Sequence, residues 1–284
     1  MKIFTTTCLL LAISSVFISC EKEINLELKN TSPKLVVEGN ILWGIDTVIN
    51  QQELKISLSA NYTGNTSPQP VTNASVMVND GTNTHIYNHI GNGIYRSSFI
   101  AATNNTYKLI IKYGEDEYHA FETLKAGGAG IDSLSINYFP SALGSPEGNF
   151  ITVNTTDPLN ERNYYLWQLY INDSLMINPS PGNIYRAIQK DEFFNGQPLF
   201  NYLPFDNFPV LTGDIARLHQ LNISEQMYNY YYSIFNLTAY SPVSGDVPPG
   251  KIKGNIININ NSDKNALGYF GACSISITKK SIKI

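Results

Sequence analysis

The stretch Glu53-Leu54-Lys55-Ile56-Ser57-Leu58-Ser59 alternates polar and apolar residues without a break. A period of two belongs to a β-strand, whose successive side chains point to opposite faces. Leu54, Ile56 and Leu58 are therefore assigned to a core, and Lys55, Ser57 and Ser59 to solvent. Working outward, similar short runs of β-branched, aromatic and alternating residues recur at 34–43, 74–78, 84–88, 95–100, 107–113 and 117–124. Between them stand Asn79-Asp80-Gly81 and Gly91-Asn92-Gly93, residues that tolerate the positive φ of tight hairpins. This spacing predicts an antiparallel sandwich over 33–125, immunoglobulin-like or transthyretin-like in kind. The Cys and Trp marks of antibody domains are missing from it.

Lys125-Ala126-Gly127-Gly128-Ala129-Gly130 is small and unpatterned, and it reads as the flexible boundary to a second domain over 131–284. That domain is expected to be β-rich, a sandwich or barrel-like, with strands at 133–139, 149–155, 163–172, 251–259 and 267–277. One helix is signalled near 224–237: Ser224 suits the cap, Glu225 suits the first turn, and Met227, Tyr231, Ile234 and Phe235 share a face before Pro242. That helix should pack on the sheet. Tyr228, Tyr230, Tyr231 and Tyr232 cannot all face the core, so at least one is expected at a surface. From 179 to 213 no period is sustained. Phe193, Phe194, Phe200, Tyr202, Phe205 and Phe208 fall in this long loop, where a contact surface for glycan or peptide is expected. The fold class is mainly β, with one packed helix.

Apolar residues make up 43% of the chain and charged residues only 15%, a balance that favours a folded chain over a disordered one. Lys and Arg number 19 against 23 Asp and Glu, for a net charge of −4, and no basic cluster is present. Phosphates would need a basic face, so a nucleic-acid partner is set aside.

The first residues carry an address. Met1-Lys2 is a positive start, and the apolar run from Ile3 to Ile18 is too short to span a bilayer comfortably, so 1–19 reads as a signal peptide. It ends Phe17-Ile18-Ser19-Cys20, which resembles the lipobox of bacterial lipoproteins, although Ile18 stands where a small residue is usual. The alternative is an ordinary secretory signal with an incidental cysteine. The abrupt change to Glu21-Lys22-Glu23 favours lipidation of Cys20, with 20–32 as a tether to the membrane. Each buried acyl methylene contributes about 0.8 kcal/mol, so several chains would hold such an anchor firmly. Cys8 leaves with the signal peptide and Cys20 is consumed by lipid. Only Cys273 then remains, in an apolar stretch that suits a buried small hydrophobe, and no intrachain disulfide is possible.

Catalytic motifs are missing: there is no Gly-x-Ser-x-Gly elbow, no His-Glu-x-x-His, no phosphate-binding loop and no cysteine pair with zinc spacing. His85 and His89 share one face of a strand and suit a polar strand face better than a metal site. Asp80, Glu115, Asp116 and Glu117 sit in or beside turns, where carboxylates solvate the loop, and calcium would need a denser run of oxygens. No metal, no cofactor and no enzymatic activity are expected.

Cys20-Glu21-Lys22-Glu23-Ile24, then Pro33-Lys34-Leu35-Val36-Val37-Glu38-Gly39, then Ile131-Asp132-Ser133-Leu134 follow one another in an order that resembles a Bacteroidota lipoprotein family called domain of unknown function 4249. Pro248-Pro249-Gly250-Lys251-Ile252-Lys253-Gly254-Asn255-Ile256, followed by Ala266-Leu267-Gly268-Tyr269-Phe270, resembles the family's closing pattern. The likeness implies an outer-membrane lipoprotein often encoded beside a TonB-dependent transporter. Glu21, Lys22 and Glu23 resemble the surface-export signal of such lipoproteins, a solvated linker being the other reading. Thr47, Ser133 and Ser174, each following an aspartate, resemble the short O-glycosylation motif of that phylum. The expectation is therefore a non-catalytic lipoprotein facing the cell exterior, a ligand-handling partner of such a transporter. An independent glycan- or peptide-binding lipoprotein is the second reading, and a hydrolase with an unfamiliar site the third.

Overall fold

The computed structural model describes residues 32–60, 67–142, 145–176, 186–239, 250 and 252–283. The expected signal peptide, Cys20 and Glu21-Lys22-Glu23 lie outside the described residues.

The chain is mainly β. The first block of strands is β1 (Leu35–Gly44), β2 (Gln51–Leu58), β3 (Gln69–Pro70), β4 (Ser75–Asn79), β5 (Thr84–Gly91), β6 (Ile94–Ser98), β7 (Asn105–Tyr113) and β8 (Asp116–Leu124). It is followed by β9 (Ser133–Phe139), β10 (Gly148–Thr156), β11 (Tyr164–Ile171), β12 (Ser174–Leu175), β13 (Ile188–Lys190), β14 (Pro198–Tyr202) and β15 (Ile215–Asn222). A helix, α1 (Glu225–Ala239), precedes the last two strands, β16 (Ile257–Asn258) and β17 (Leu267–Ser281). Hydrogen-bonded neighbours run in the order β12-β11-β15-β17-β1-β2-β6-β5-β4-β7-β8-β16, and β14-β10-β9 form a separate sheet.

The alternation in β2 buries Leu54 and Ile56 and leaves Lys55 exposed, as the period of two requires. Two positions depart from it. Ser57, expected in solvent, is buried, because β1 and the short β3 pair with it from both sides at Val36 and Pro70. Leu58 is only half-buried at the strand end. Val37, Leu54, Ile56, Val78, Leu109 and Ile111 share one core with Phe270 and Ala272, which are contributed from the far end of the chain.

That far end is β17. It pairs in parallel with β1, from Val36 opposite Leu267 to Gly44 opposite Ile275, and antiparallel with β15 on its other side. From Tyr269 to Ser276 every residue is buried. Tyr269, Cys273 and Ile275 point under α1, into a core with Leu166, Leu221 and Met227, while Phe270 and Ala272 point into the core of the first block. A strand covered on both faces and paired on both edges exposes no backbone group to water, which is the setting of a central strand.

The segment after β8 is fixed rather than flexible. Gln220 of β15 is fully buried: its side-chain oxygen accepts from the Trp167 indole at 2.9 Å, and its amide donates to Ala129 O at 2.9 Å and to Thr155 Oγ1 at 3.0 Å. Asn222 donates to Ala129 O at 3.1 Å and to Ser274 Oγ at 3.0 Å, and Ser274 donates to Gly127 O at 3.2 Å. The Ile131 N–H donates to Ser276 Oγ at 3.0 Å, and Ser276 donates to Asp46 Oδ2 at 2.6 Å. The small residues let the backbone lie this close: a Cβ at Gly128, whose φ is +86°, would sit 2.2 Å from Asn222 Cγ.

Several expectations are corrected. The strand expected at 251–259 is reduced to Ile257–Asn258. Before it, the Asn255 side chain takes the place of a backbone partner, donating to Phe270 O at 2.7 Å and accepting from the Phe270 N–H at 2.9 Å. β15, a central strand, has no counterpart among the expected segments. In the loop read as unperiodic, the structure places β13, a 3-10 turn at Asp191–Phe193, and β14. The helix is where the cap residue predicts it: the Met227 N–H donates to Ser224 Oγ at 3.1 Å, Met227 is buried, and Tyr231 and Phe235 pack beside it. Among the tyrosines of α1, Tyr232 is the exposed one.

At Gly268 the backbone φ is +94°, and a Cβ there would meet Val37 O at 1.9 Å. Gly268→Ala is expected to lower the unfolding free energy by about 3 kcal/mol or more, combining left-handed strain with a backbone clash in the β1–β17 pair. Urea unfolding followed by circular dichroism checks this, and a loss below about 1 kcal/mol would contradict the central role of that pair.

Candidate functional site

Where β8 ends, α1 begins and β17 enters the sheet, the three elements leave a cleft between them. Its larger lobe, about 520 Å³, is lined by Phe121, Glu122, Gln226, Lys253, Asn255 and Tyr269 among others. A second lobe of about 290 Å³ runs on past Thr123, Lys125 and Ser224, which line both, towards Glu161, Arg162 and Asn222. A smaller recess of about 140 Å³ continues around the helix start between Arg162, Tyr164, Lys190, Glu225 and Tyr228. Volumes of a few hundred Å³ are those of small-molecule sites.

Glu122 decides the character of this cleft. In β8 the residues Tyr118, Ala120, Glu122 and Leu124 are all buried and share one face. A carboxylate in an apolar phase, 9% exposed, needs hydrogen bonds to offset the loss of water. The Tyr269 hydroxyl donates to Oε2 at 2.7 Å. Ser224, which caps α1, lines the same lobe. Burial still raises the Glu122 pKa above its ordinary value; the hydrogen bond from Tyr269 and the charge of Lys125 only partly oppose it. Burial, with the neighbouring Glu122, also raises the Tyr269 phenol. Tyr230, whose ring centroid lies 5.1 Å from that of Tyr269, is pushed up to about 12 by burial.

A second buried acidic group lies at the turns beside the cleft. Asp157 accepts from the Tyr165 hydroxyl and, at 3.0 Å, from the Gly196 N–H, while Asp191 accepts from the Asn163 N–H at 2.9 Å. Burial raises the Asp157 pKa, and the charge of Asp191 adds to it. These carboxylates stitch the turn after β10 to the turn after β13. Tied in this way, they hold the cleft wall.

The residues singled out by sequence are distributed differently. Phe193 and Phe200 are 92% and 74% exposed, but Phe205 is buried and Phe194, Tyr202 and Phe208 pack against the same core. Phe194 stacks on Tyr165 at 6.1 Å between centroids, and Tyr202 lies 5.0 Å from Trp167. The six aromatics therefore do not make one surface: the chain uses four of them as core, because the small sheet β14-β10-β9 must be covered on its inner side. Thr47, Ser133 and Ser174 are exposed, although Ser133 Oγ also accepts from Asn154 Nδ2 at 2.9 Å.

His85 is held by Asp80 at 2.9 Å and stacks on Phe99, and His89 lies against Tyr95. Asp80 accepts from the N–H groups of Thr82 and Asn83, as a turn carboxylate does. Asp116 and Glu117 pair with Lys264 and Lys112. Among the described residues, no group of three or more His, Cys, Asp or Glu could hold a metal ion. Cys273 is buried, and burial raises its thiol pKa. The cleft residues missed from sequence are Glu122 and Tyr269. The signal for Glu122 is in the chain: it occupies the apolar phase of Tyr118-His119-Ala120-Phe121-Glu122-Thr123-Leu124.

A mainly β protein with one packed helix, and a polar cleft at the head of that helix, is the class these features define. The chain belongs to the family described as domain of unknown function (DUF4249), whose model matches residues 21–279. No curated protein matches it in sequence.

Glu122 also gives a pH signature. Its folded pKa is raised, so its contribution to stability is fully present below the ordinary value of 4.5 and is lost as pH rises through the folded value. Relative to the wild type, Glu122→Gln is therefore expected to gain stability as pH increases from about 4.5 towards neutrality. Urea midpoints of both proteins across pH 4 to 8 would check the direction. A difference that is flat with pH would contradict the burial of this charge.

Proposed function

We propose that this chain is a non-catalytic lipoprotein of a Bacteroidota outer membrane, anchored through lipidated Cys20 and facing the cell exterior. In this reading it handles a ligand in the cleft at the head of α1 and acts as accessory to a TonB-dependent transporter. The observation that carries the ligand-handling role is the lobe of about 520 Å³ with buried Glu122 in its wall and Lys125 and Lys253 at its sides. Such a mixture of charges, amides and an aromatic ring serves recognition, because it fixes the orientation of what it binds. The anchor and the surface location rest on Phe17-Ile18-Ser19-Cys20 and the acidic residues after it, and the transporter on the family resemblance.

Affinity purification of the tagged chain from gently solubilised outer membranes, beside a Cys20→Ala control, tests the partnership. A TonB-dependent transporter is expected in stoichiometric amount with the lipidated chain and depleted from the control. Recovery of the lipoprotein alone would overturn the accessory role. It would favour the second reading, an independent glycan- or peptide-binding lipoprotein, for which exposed Phe193 and Phe200 supply stacking surfaces.

A further inference from the structure

Glu122 is an unexpected choice for its position. Its partner, the Tyr269 hydroxyl, would be accepted equally well by the neutral oxygen of a glutamine, at a lower cost of desolvation. What a carboxylate adds is negative charge and acceptor capacity. An ionised carboxyl offers about four lone-pair positions. One is used by the Tyr269 hydroxyl. The remaining capacity belongs to a group that lines the larger lobe of the cleft.

The same lobe is flanked by two cations. Lys125 and Lys253 are both exposed, and no carboxylate of the described residues lies within ion-pair distance of either. An anion alone would meet the lysines but also the charge of Glu122. A cation alone would meet Glu122 but also the two lysines. A neutral ligand would use neither the two lysines nor the free acceptor positions of Glu122. The arrangement is complementary to a molecule that carries both signs a short distance apart.

We infer that the lobe takes a zwitterion with the chemistry of a short peptide: its free ammonium group bonds Glu122 beside the ring of Tyr269, and its carboxylate is held by Lys125 and Lys253. This rests on the reading of the cleft as a ligand site and adds the ligand's class. A bound ammonium neutralises the buried carboxylate, so binding favours the ionised form of Glu122.

The test uses the full chain in detergent and four probes: trialanine, its N-acetylated form, its C-terminal amide, and a neutral trisaccharide, each titrated by calorimetry. Trialanine is expected to bind, and capping either end to weaken it by about tenfold, the loss of one charge-assisted hydrogen bond. Glu122→Gln is expected to abolish the discrimination against the acetylated form. The surface double variant Lys125→Gln, Lys253→Gln is expected to abolish discrimination against the amide, and it keeps the test valid if Glu122→Gln folds poorly. Equal binding of capped and uncapped peptides overturns the inference. Binding of the trisaccharide alone, weakened by Glu122→Gln, overturns the zwitterion and leaves the cleft as a ligand site. Binding of no probe overturns both.

Discussion

The structure depends on the parallel pairing of β1 with β17. Parallel strands are usually buried on both faces, and β17 obeys this along eight consecutive residues, from Tyr269 to Ser276. Because the two faces serve different cores, the strand cannot shift register without moving Phe270 and Ala272 out of one core and Cys273 and Ile275 out of another. The first block of strands, the helix and β15 are thereby locked to one another through a single element. The left-handed backbone at Gly268 belongs to the same constraint, since it lets β17 approach Val37 closely at the point of entry.

A second constraint is polar. Gln220, Thr155, Asn222, Ser274 and Ser276 lie where the sheet is covered by the segment 127–131, and their side chains bond its carbonyls and an N–H. Side-chain amide N–H groups and hydroxyls paired in this way fix one arrangement of the backbone, since any other would leave those groups dry and unpaired. A glycine-rich stretch becomes a strap because glycine permits the approach, and the side chains opposite supply the bonds. The cleft lies directly beside this strap, with Gly127 and Asn222 among its lining residues, so the wall inherits the strap's rigidity.

Much of the mainly β architecture was legible in the chain. The first block alternates cleanly because one face of each strand is wet, and its strands appear at the expected positions. The central strands were harder. Ile215-Ala216-Arg217-Leu218-His219-Gln220-Leu221-Asn222 buries Gln220 and Leu221 together, so alternation fails where both faces are covered. The segment near 251–259 has the composition of a strand, but Asn255 supplies from its side chain the bonds a strand would take from backbone. Phe194, Tyr202, Phe205 and Phe208 looked like a contact surface because composition cannot say which side of a loop faces the core. Glu122 was visible as a charge in an apolar phase, but Tyr269 and Ser224, which make it a site, are distant in sequence and are joined to it only by the fold.

The position of β17 at the end of the chain has a consequence for the order of assembly. Strands β1 and β2, and β4 to β8, pair largely with near neighbours, whereas the second edge of β1 must wait for β17, which follows all the other strands. Closing a contact of such long sequence separation is slow compared with forming hairpins. Until β17 joins, the chain carries an unpaired edge on β1 and a core lacking Phe270 and Ala272. Such an edge invites pairing with other chains until β17 is in place.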